Sequence, residues 1–408
     1  MRIIHTSDLH LGQNFFGRTR QHEHDQFLGW LVDQVRLQEV DAVVIAGDLY
    51  DTAMPPSYAR EQCNRFIDAM IDTGARLILL GGNHDSPATL GEGRRLLARL
   101  STLVIPEVTC EPAEQVFVVN RRDSQPGMIL CGVPFIRARD VARSVPGQSD
   151  EEKRLAVMNG IAQYYADIYA AALIKREELG LNVPIVATGH LTTVGANSSE
   201  SVREIYVGSL NAFATDLFPP ADYIALGHIH RPQVVGSNEH IRYCGSPITL
   251  SFDELGQDKQ VLLVEFEDGQ RKRIETIPVP TFQPLLRVHA AIDDLPEELA
   301  KAAAPFAADL PAWVEITVEA GDYLPDLPAR LNEMVAGLPL EILRLRKARA
   351  QSAPTAIEPQ PQTLDDLSLA DVFEQVLTAR SNIPEDRLPR VRELFAAVAA
   401  EILAGEAA

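Results

Sequence analysis

Five times along this chain a short apolar run stops at a loop that carries Asp, His or Asn. The runs Arg2 to Thr6, Asp41 to Ala46, Leu77 to Leu80, Pro184 to Thr188 and Ala221 to Leu226 have the length of buried strands. They lead into Ser7-Asp8-Leu9-His10, Gly47-Asp48, Gly81-Gly82-Asn83-His84-Asp85, Gly189-His190 and Gly227-His228-Ile229-His230. Between the first three runs the apolar spacing turns helical. Thr19 to Gln38 carries Phe27, Leu28, Leu31, Val32 and Val35 on one stripe, and Ser57 to Asp72, with Ser57 as its expected cap, carries Cys63, Phe66, Ile67, Met70 and Ile71. A repeated strand, loop and helix order implies an α/β fold whose polar loops collect at one edge.

The later chain extends this plan. Thr102 to Arg137 reads as short strands with turns, Asp150 to Glu178 as a long amphipathic helix, and Ile241 to Ile277 as β-rich. The expected architecture is therefore a two-sheet sandwich flanked by helices. Near Pro278 to Pro284 the character changes, and residues 285 to 346 read as a βαβαβ unit. Residues 347 to 366, with Pro354, Pro359 and Pro361, read as a flexible linker. Two amphipathic helices, Ser368 to Ala379 and Pro384 to Ala404, follow it. The expected division is 1–280 as the main α/β domain, 281–346 as a small α+β cap, 347–366 as linker and 367–408 as a helical docking pair.

In chain order the candidate metal ligands are Asp8, His10, Asp48, Asn83, His190, His228 and His230. In extended chain alternate side chains point the same way, so Asp-x-His and His-x-His could each reach one centre. Glycine beside such residues lets backbone approach a metal closely. Mixed carboxylate, amide and imidazole donors without thiolate suit Mn²⁺, Fe²⁺ or Zn²⁺ in a two-metal hydrolytic centre. Beside Asn83, His84 is the expected proton donor and Asp85 the group that orients it. His5 is left out of the set, His22 and His24 are expected on a solvated helix face, and His240 and His289 are read as ordinary. Cys63, Cys110, Cys131 and Cys244 form no CxxC pair and are expected to be reduced, separately packed thiols.

The formal charge of −20 disfavours binding to nucleic acid by bulk electrostatics. It leaves room for a nuclease whose active-site carboxylates are covered by cations and whose partner supplies basic surface. Arg121-Arg122, Arg137 with Arg139, Arg271-Lys272-Arg273, and Arg344, Arg346, Lys347 and Arg349 could touch phosphates, but solvated faces explain each of them as well. The first residues lack a signal-peptide pattern and no apolar run reaches membrane length, so a cytoplasmic protein is expected.

The ordered set DLH, GDLYD, GGNHD, GH and GHIH resembles the signature of the calcineurin-like metallophosphoesterases. Longer stretches, among them HTSDLHLGQNFF, VIAGDLYDTAMPPSYAR, ADYIALGHIHRPQ and YCGSPITLSFDE, resemble the SbcD family of bacterial nuclease subunits over nearly the whole chain. The resemblance implies a metallophosphoesterase sandwich with two divalent ions, usually Mn²⁺. Asp8, His10, Asp48 and His230 would hold one and Asp48, Asn83, His190 and His228 the other, with Asp48 bridging. It implies exonuclease and endonuclease action on double-stranded DNA ends and hairpins in break repair and recombination, and a nucleoid-associated location. It also implies a homodimer, through the helix after Asp51 and the one after Asp85, within a heterotetramer. No Gly-x-x-x-x-Gly-Lys-Ser/Thr loop and no sustained heptads occur here, so ATP hydrolysis and a coiled coil would come from an SbcC-type ABC ATPase docked on the C-terminal helices. The alternatives are a metallophosphoesterase for small phosphodiesters or phosphoproteins, and a scaffold with a dead site, which would lack ligands.

Overall fold

The strand that opens the chain, Arg2–Thr6, shows how the molecule is layered: Ile3 faces one core and Ile4 another, both fully buried. Side chains alternate across a strand, so a strand buried on both faces must sit between two packed layers. The structure is a computed structural model that describes residues 1–143, 147–197, 199, 202, 212–319, 326–348 and 395. Residues 1–349 form one compact unit and 350–408 a second. Apart from Phe395, the second unit lies outside the described residues, and with it most of the expected linker and the rest of the expected helical pair.

Arg2–Thr6 belongs to a six-stranded sheet in the order Gln270–Pro278, Gln260–Glu267, Arg2–Thr6, Ala42–Ile45, Arg76–Leu80, Thr102–Ile105. The last four strands run parallel, and Gln260–Glu267 pairs antiparallel with both of its neighbours. A second six-stranded sheet runs Gln233–Val235, Asn238–Tyr243, Tyr223–Gly227, Ile185–His190, Pro126–Cys131, Val116–Asn120. Ile3, Val44, Ile78 and Leu80 of the first sheet meet Leu130, Val186, Tyr223 and Ala225 of the second in a shared apolar interior. The outer face of the first sheet packs Ile4, Val43 and Ile45 against Phe27, Leu31, Cys63 and Phe66 of the helices Gln21–Leu37 and Ser57–Ile71. The outer face of the second packs Ile129, Ile185 and Ile224 against Ile161, Tyr165 and Ile168 of the helix Asp150–Leu179. The result is the expected sandwich flanked by helices.

Three local expectations are corrected. Ser57 does not cap its helix: Pro56 occupies the cap position, without a side-chain hydrogen bond, and Ser57 is the first helical residue. Its place follows from Pro56, whose extended backbone ends the preceding loop. His24 is not on a solvated face but fully buried, with Nε2 2.9 Å from the Leu9 carbonyl. Cys63, Cys131 and Cys244 are buried as expected, whereas Cys110 is exposed. His5 lies between the sheets, with Nδ1 2.8 Å from the Tyr223 hydroxyl.

Residues 285–347 close into three parallel strands, Leu285–Ala290, Ala312–Val318 and Leu340–Lys347, joined by the helices Leu295–Ala303 and Leu327–Met334. One sheet face and both helices enclose a separate core of Val288, Val314, Ile316, Leu299 and Leu331. On the opposite face Trp313 joins Phe15 and Phe252 of the sandwich, with Leu285 and Leu343 alongside. Arg20, fully buried, places its guanidinium 4.9 Å from the Phe15 ring centre and pairs with Glu23.

Candidate metal centre

Every candidate ligand arrives at one edge of the sandwich, where parallel strands of both sheets end. Asp8 and His10 follow Arg2–Thr6, Asp48 follows Ala42–Ile45, and Asn83 follows Arg76–Leu80; from the second sheet His190 ends Ile185–His190, and His228 and His230 follow Tyr223–Gly227. Donor atoms of Asp8, His10 and His230 lie within 4.8 Å of one another, as do those of His10, Asp48 and His84 and those of Asp48, His190 and His228. Asn83 joins through Oδ1, 2.9 Å from His190 Nε2 and 3.1 Å from His228 Nδ1. Asp48 Oδ2 stands 3.6 Å from His10 Nε2 and 3.2 Å from His190 Nε2, between the two groups. His5, His22, His240 and His289 take no part in these groups.

The convergence is made differently from the extended-chain expectation. Asp8, His10, Asp48 and His228 all have positive φ, at 55°, 50°, 50° and 92°. Non-glycine residues rarely adopt this region, and such strain persists only where surrounding structure enforces it. Here backbone bonds do so: Asp8 N–H donates to the Gly47 carbonyl at 3.0 Å and His10 N–H to that of Asp48 at 3.1 Å. The buried His24 ring holds the Leu9 carbonyl between them. Gly82 is required by contact rather than by φ, because a Cβ there would stand 2.1 Å from Asp48 Oδ1.

The candidate ligand rings are oriented from behind. His190 Nδ1 donates to the Ala46 carbonyl at 2.9 Å, His10 Nδ1 lies 3.1 Å from Asp51 Oδ1, and His230 Nδ1 lies 3.1 Å from Glu254 Oε1. With Nδ1 so engaged, Nε2 is the atom each ring has for a cation. Asp8 Oδ2 accepts from the Ser7 hydroxyl, and both its oxygens face the His228 N–H, at 2.9 and 3.1 Å. His84 N–H donates to Asp48 Oδ1 at 2.8 Å, and its Nδ1 donates to the Asp51 carbonyl at 2.8 Å.

Asp85 does not orient His84. Its carboxylate is turned to the backbone, accepting from Leu49 N–H at 3.1 Å, Tyr50 N–H at 2.9 Å and Gly82 N–H at 2.9 Å. Buried beneath the loops, it satisfies three amides and so braces the two loops that present Asp48 and Asn83. Burial, reinforced by the Asp48 charge, pushes its carboxyl up to about 6.

Charge is unevenly shared across the site. Burial alone would lower His190, but the charge and hydrogen bond of Asp48 raise it to about 9. Burial likewise opposes the charged form of His10, and the carboxylates of Asp51, Asp48 and Asp8 outweigh it. Asp48 is held far below the carboxylate range by His190 and His10 despite its burial. His228 is driven well below its ordinary value by burial and by the neighbouring His190. The donor set suits divalent cations, and His10 Nε2, buried and without a hydrogen-bond partner, is an orphan that a cation would satisfy.

Residues outside the sequence expectation complete the site. Asp51 touches His10 and His84; Glu254, fully buried, touches His230; Lys259 pairs with Glu254 at 2.6 Å. Asp51 and Glu254 stand inside the GDLYD and YCGSPITLSFDE stretches, the signal that could have found them. Lys259 carries no such signal.

The calcineurin-like phosphoesterase family matches residues 1–232, and the family described as type 5 capsule protein repressor C-terminal domain matches residues 281–381. The chain is 43% identical over 406 residues to the SbcD subunit of nuclease SbcCD from Escherichia coli K12, covering 100% of this chain and 99% of that one. It is 30% identical over 378 residues to the subunit of the same name from Rhodobacter capsulatus, covering 89% and 91%. Among solved structures it resembles a dimetal phosphatase from Danio rerio at 11% identity, covering 68% of this chain and 98% of that one, with a TM-score of 0.39.

Proposed function

This chain belongs to the calcineurin-like phosphoesterases and, among them, to the family of SbcD subunits of nuclease SbcCD, and from that premise we propose how its buried cluster cuts DNA. It is the nuclease subunit of such an assembly, a hydrolase of phosphodiesters. Asp8, His10, Asp48 and His230 would hold one divalent cation and Asp48, Asn83, His190 and His228 a second, Mn²⁺ being the preferred ion. The cations, when bound, supply positive charge at the phosphoryl oxygens and lower the pKa of water. The supporting observation is the meeting of six of these donors from both sheets, with Asp48 between the two groups and Asn83 joined to them through His190 and His228.

The chain's own residues do the rest. The Asp51 carbonyl fixes His84 with Nδ1 protonated, so Nε2 is the atom that can carry a proton to the leaving oxygen. Asp85 acts one step back, holding the backbone of Leu49, Tyr50 and Gly82 in place. The substrates would be double-stranded DNA ends and hairpins, cut by exonuclease and endonuclease action in repair and recombination. An SbcC-type ABC ATPase would dock on residues 367–408, beyond a linker at 347–366. Residues 281–346 would form the cap on a nuclease domain at 1–280, and two copies would pair within a heterotetramer. Its place of action would be the nucleoid in the cytoplasm; no helix among the described residues is long and apolar enough to cross a membrane.

The test is cleavage of a linear duplex with one hairpin end, with Mn²⁺, Mg²⁺ or chelator, with and without the ATPase partner. His84→Gln should lower cutting by roughly 10²- to 10⁴-fold while Mn²⁺ binding is retained. Intact DNA in every mixture, beside hydrolysis of a small chromogenic phosphodiester, would keep the site and transfer it to the small-substrate alternative.

A further inference from the structure

One member of the cluster is held in a way the others are not. His190 leans on a neutral backbone carbonyl, and His10 on Asp51, whose side chain is 26% exposed. His230 leans on Glu254, a carboxylate with no exposure at all. Its Oε1 lies 3.1 Å from His230 Nδ1. Its Oε2 accepts from Leu250 N–H at 3.0 Å, from the Ser246 hydroxyl at 3.3 Å and from Lys259 Nζ at 2.6 Å. Lys259 Nζ also reaches the Ser246 hydroxyl at 2.8 Å and the His230 carbonyl at 3.4 Å. The segment that carries these groups is pinned from outside, since the buried Arg20 guanidinium donates to the Thr249 carbonyl.

Burying a Lys–Glu pair costs desolvation that its attraction need not repay, and apolar side chains of similar volume are often as stable or more so. In this pair one carboxylate oxygen is aimed at a ring nitrogen of the cluster. We propose that Glu254 is a positioning residue for the cation held by Asp8, His10 and His230, that it fixes His230 as the Nδ1-protonated tautomer with Nε2 toward that cation, and that Lys259 holds Glu254 in place. The proposal rests on His230 being a ligand. It makes the two cation positions unequal, because among the described residues the group of Asp48, His190 and His228 has no such carboxylate behind its rings.

The experiment titrates Mn²⁺ into chelator-treated full-length protein and counts free ion by electron paramagnetic resonance. The variant Glu254→Gln with Lys259→Met removes both charges together, so neither is left buried alone. It should weaken one of two cations by about 10- to 100-fold and leave the other unchanged, with the melting transition retained. His230→Ala should lose that same cation. Native binding of both cations by the double variant, while His230→Ala loses one, overturns the role of Glu254 and leaves the ligand assignment intact. Native binding of both by His230→Ala removes the ligand assignment itself. Should the double variant not fold, long-range proton–nitrogen spectra of the cation-free native protein decide: Nδ1–H on His230 supports the proposal, and Nε2–H overturns it.

Discussion

Asp48 stands between two histidines that arrive from different sheets, and the proton on its neighbour ties the site to pH. In the cation-free protein His190 is raised to about 9 and His10 is raised as well, against an ordinary value of 6.5. A base raised on folding stabilises fully below its unfolded pKa, and that contribution is lost as pH climbs through the folded value. Asp48 is depressed, so its contribution is lost only in strong acid, and His5 and His24, lowered to about 3 by burial, act only below pH 6.5. Between pH 6.5 and about 9 the raised histidines lower stability as pH climbs, while the Met1 amino group and Lys259, both lowered by burial, oppose them. Chelator-treated protein should lose roughly a few degrees of melting temperature across that window, and the Mn²⁺-loaded protein less, because the cation replaces the proton. A melting temperature in chelator that is flat from 6.5 to 9 would contradict the pairing of Asp48 with His190. That these residues would meet in one cluster was legible from residue type and spacing. The reason offered by spacing was not, because Asp8, His10 and His228 converge through left-handed backbone rather than extended alternation. Asp85 misled for a related cause: adjacency to His84 says nothing of the three amides that only the folded loops bring to it.

The elements were readable wherever burial alone dictates periodicity. Arg2–Thr6 and the five pieces from Leu285 to Lys347 fall close to their expected places, since each has a clean apolar face over a core. What no local pattern announces is how one element meets another far along the chain. Arg20, just before the first helix, is buried against Phe15 and lies 5.9 Å from the ring of Trp313. Trp313 in turn stacks on Phe15 at 5.8 Å and 15°, and its Nε1 donates to Glu341 at 3.0 Å. Removing that side chain leaves a cavity in the seam between the βαβαβ unit and the sandwich. Trp313→Ala should cost about 3 to 5 kcal/mol in denaturant unfolding. The chain has two tryptophans, so Trp30 in the first helix then reports on the sandwich alone. Loss of circular dichroism should precede the Trp30 fluorescence change as the seam opens first. A native midpoint with coincident transitions would mean that the seam contributes nothing.

The molecule as a whole carries −20, which sets a limit on what it can do with DNA unaided. A nuclease approaches a polyanion, and non-specific affinity comes from cations that displace counterions along the backbone. Within the βαβαβ unit, Arg287, Arg344 and Arg346 gather around the fully buried Glu315, at 2.6, 3.1 and 3.8 Å, so one carboxylate is shared by three guanidiniums. That surplus is local, and it sits on a chain with 57 acidic residues against 37 basic ones. The isolated protein should therefore bind duplex DNA weakly at physiological salt, no tighter than the non-specific range of about 10⁻⁴ to 10⁻⁶ M. In the proposed assembly, should the partner supply basic surface, affinity should rise and become steeply salt-dependent. An assembly engaging about six to ten phosphates would lose roughly 10³- to 10⁵-fold in affinity between 50 and 200 mM salt. Fluorescence anisotropy with a labelled duplex, run for both forms over that range with Ca²⁺ in place of a catalytic ion, separates the cases. Tight, salt-insensitive binding by the isolated chain would show that it grips DNA by contacts other than phosphate charge, and the division of labour with the partner would have to be redrawn.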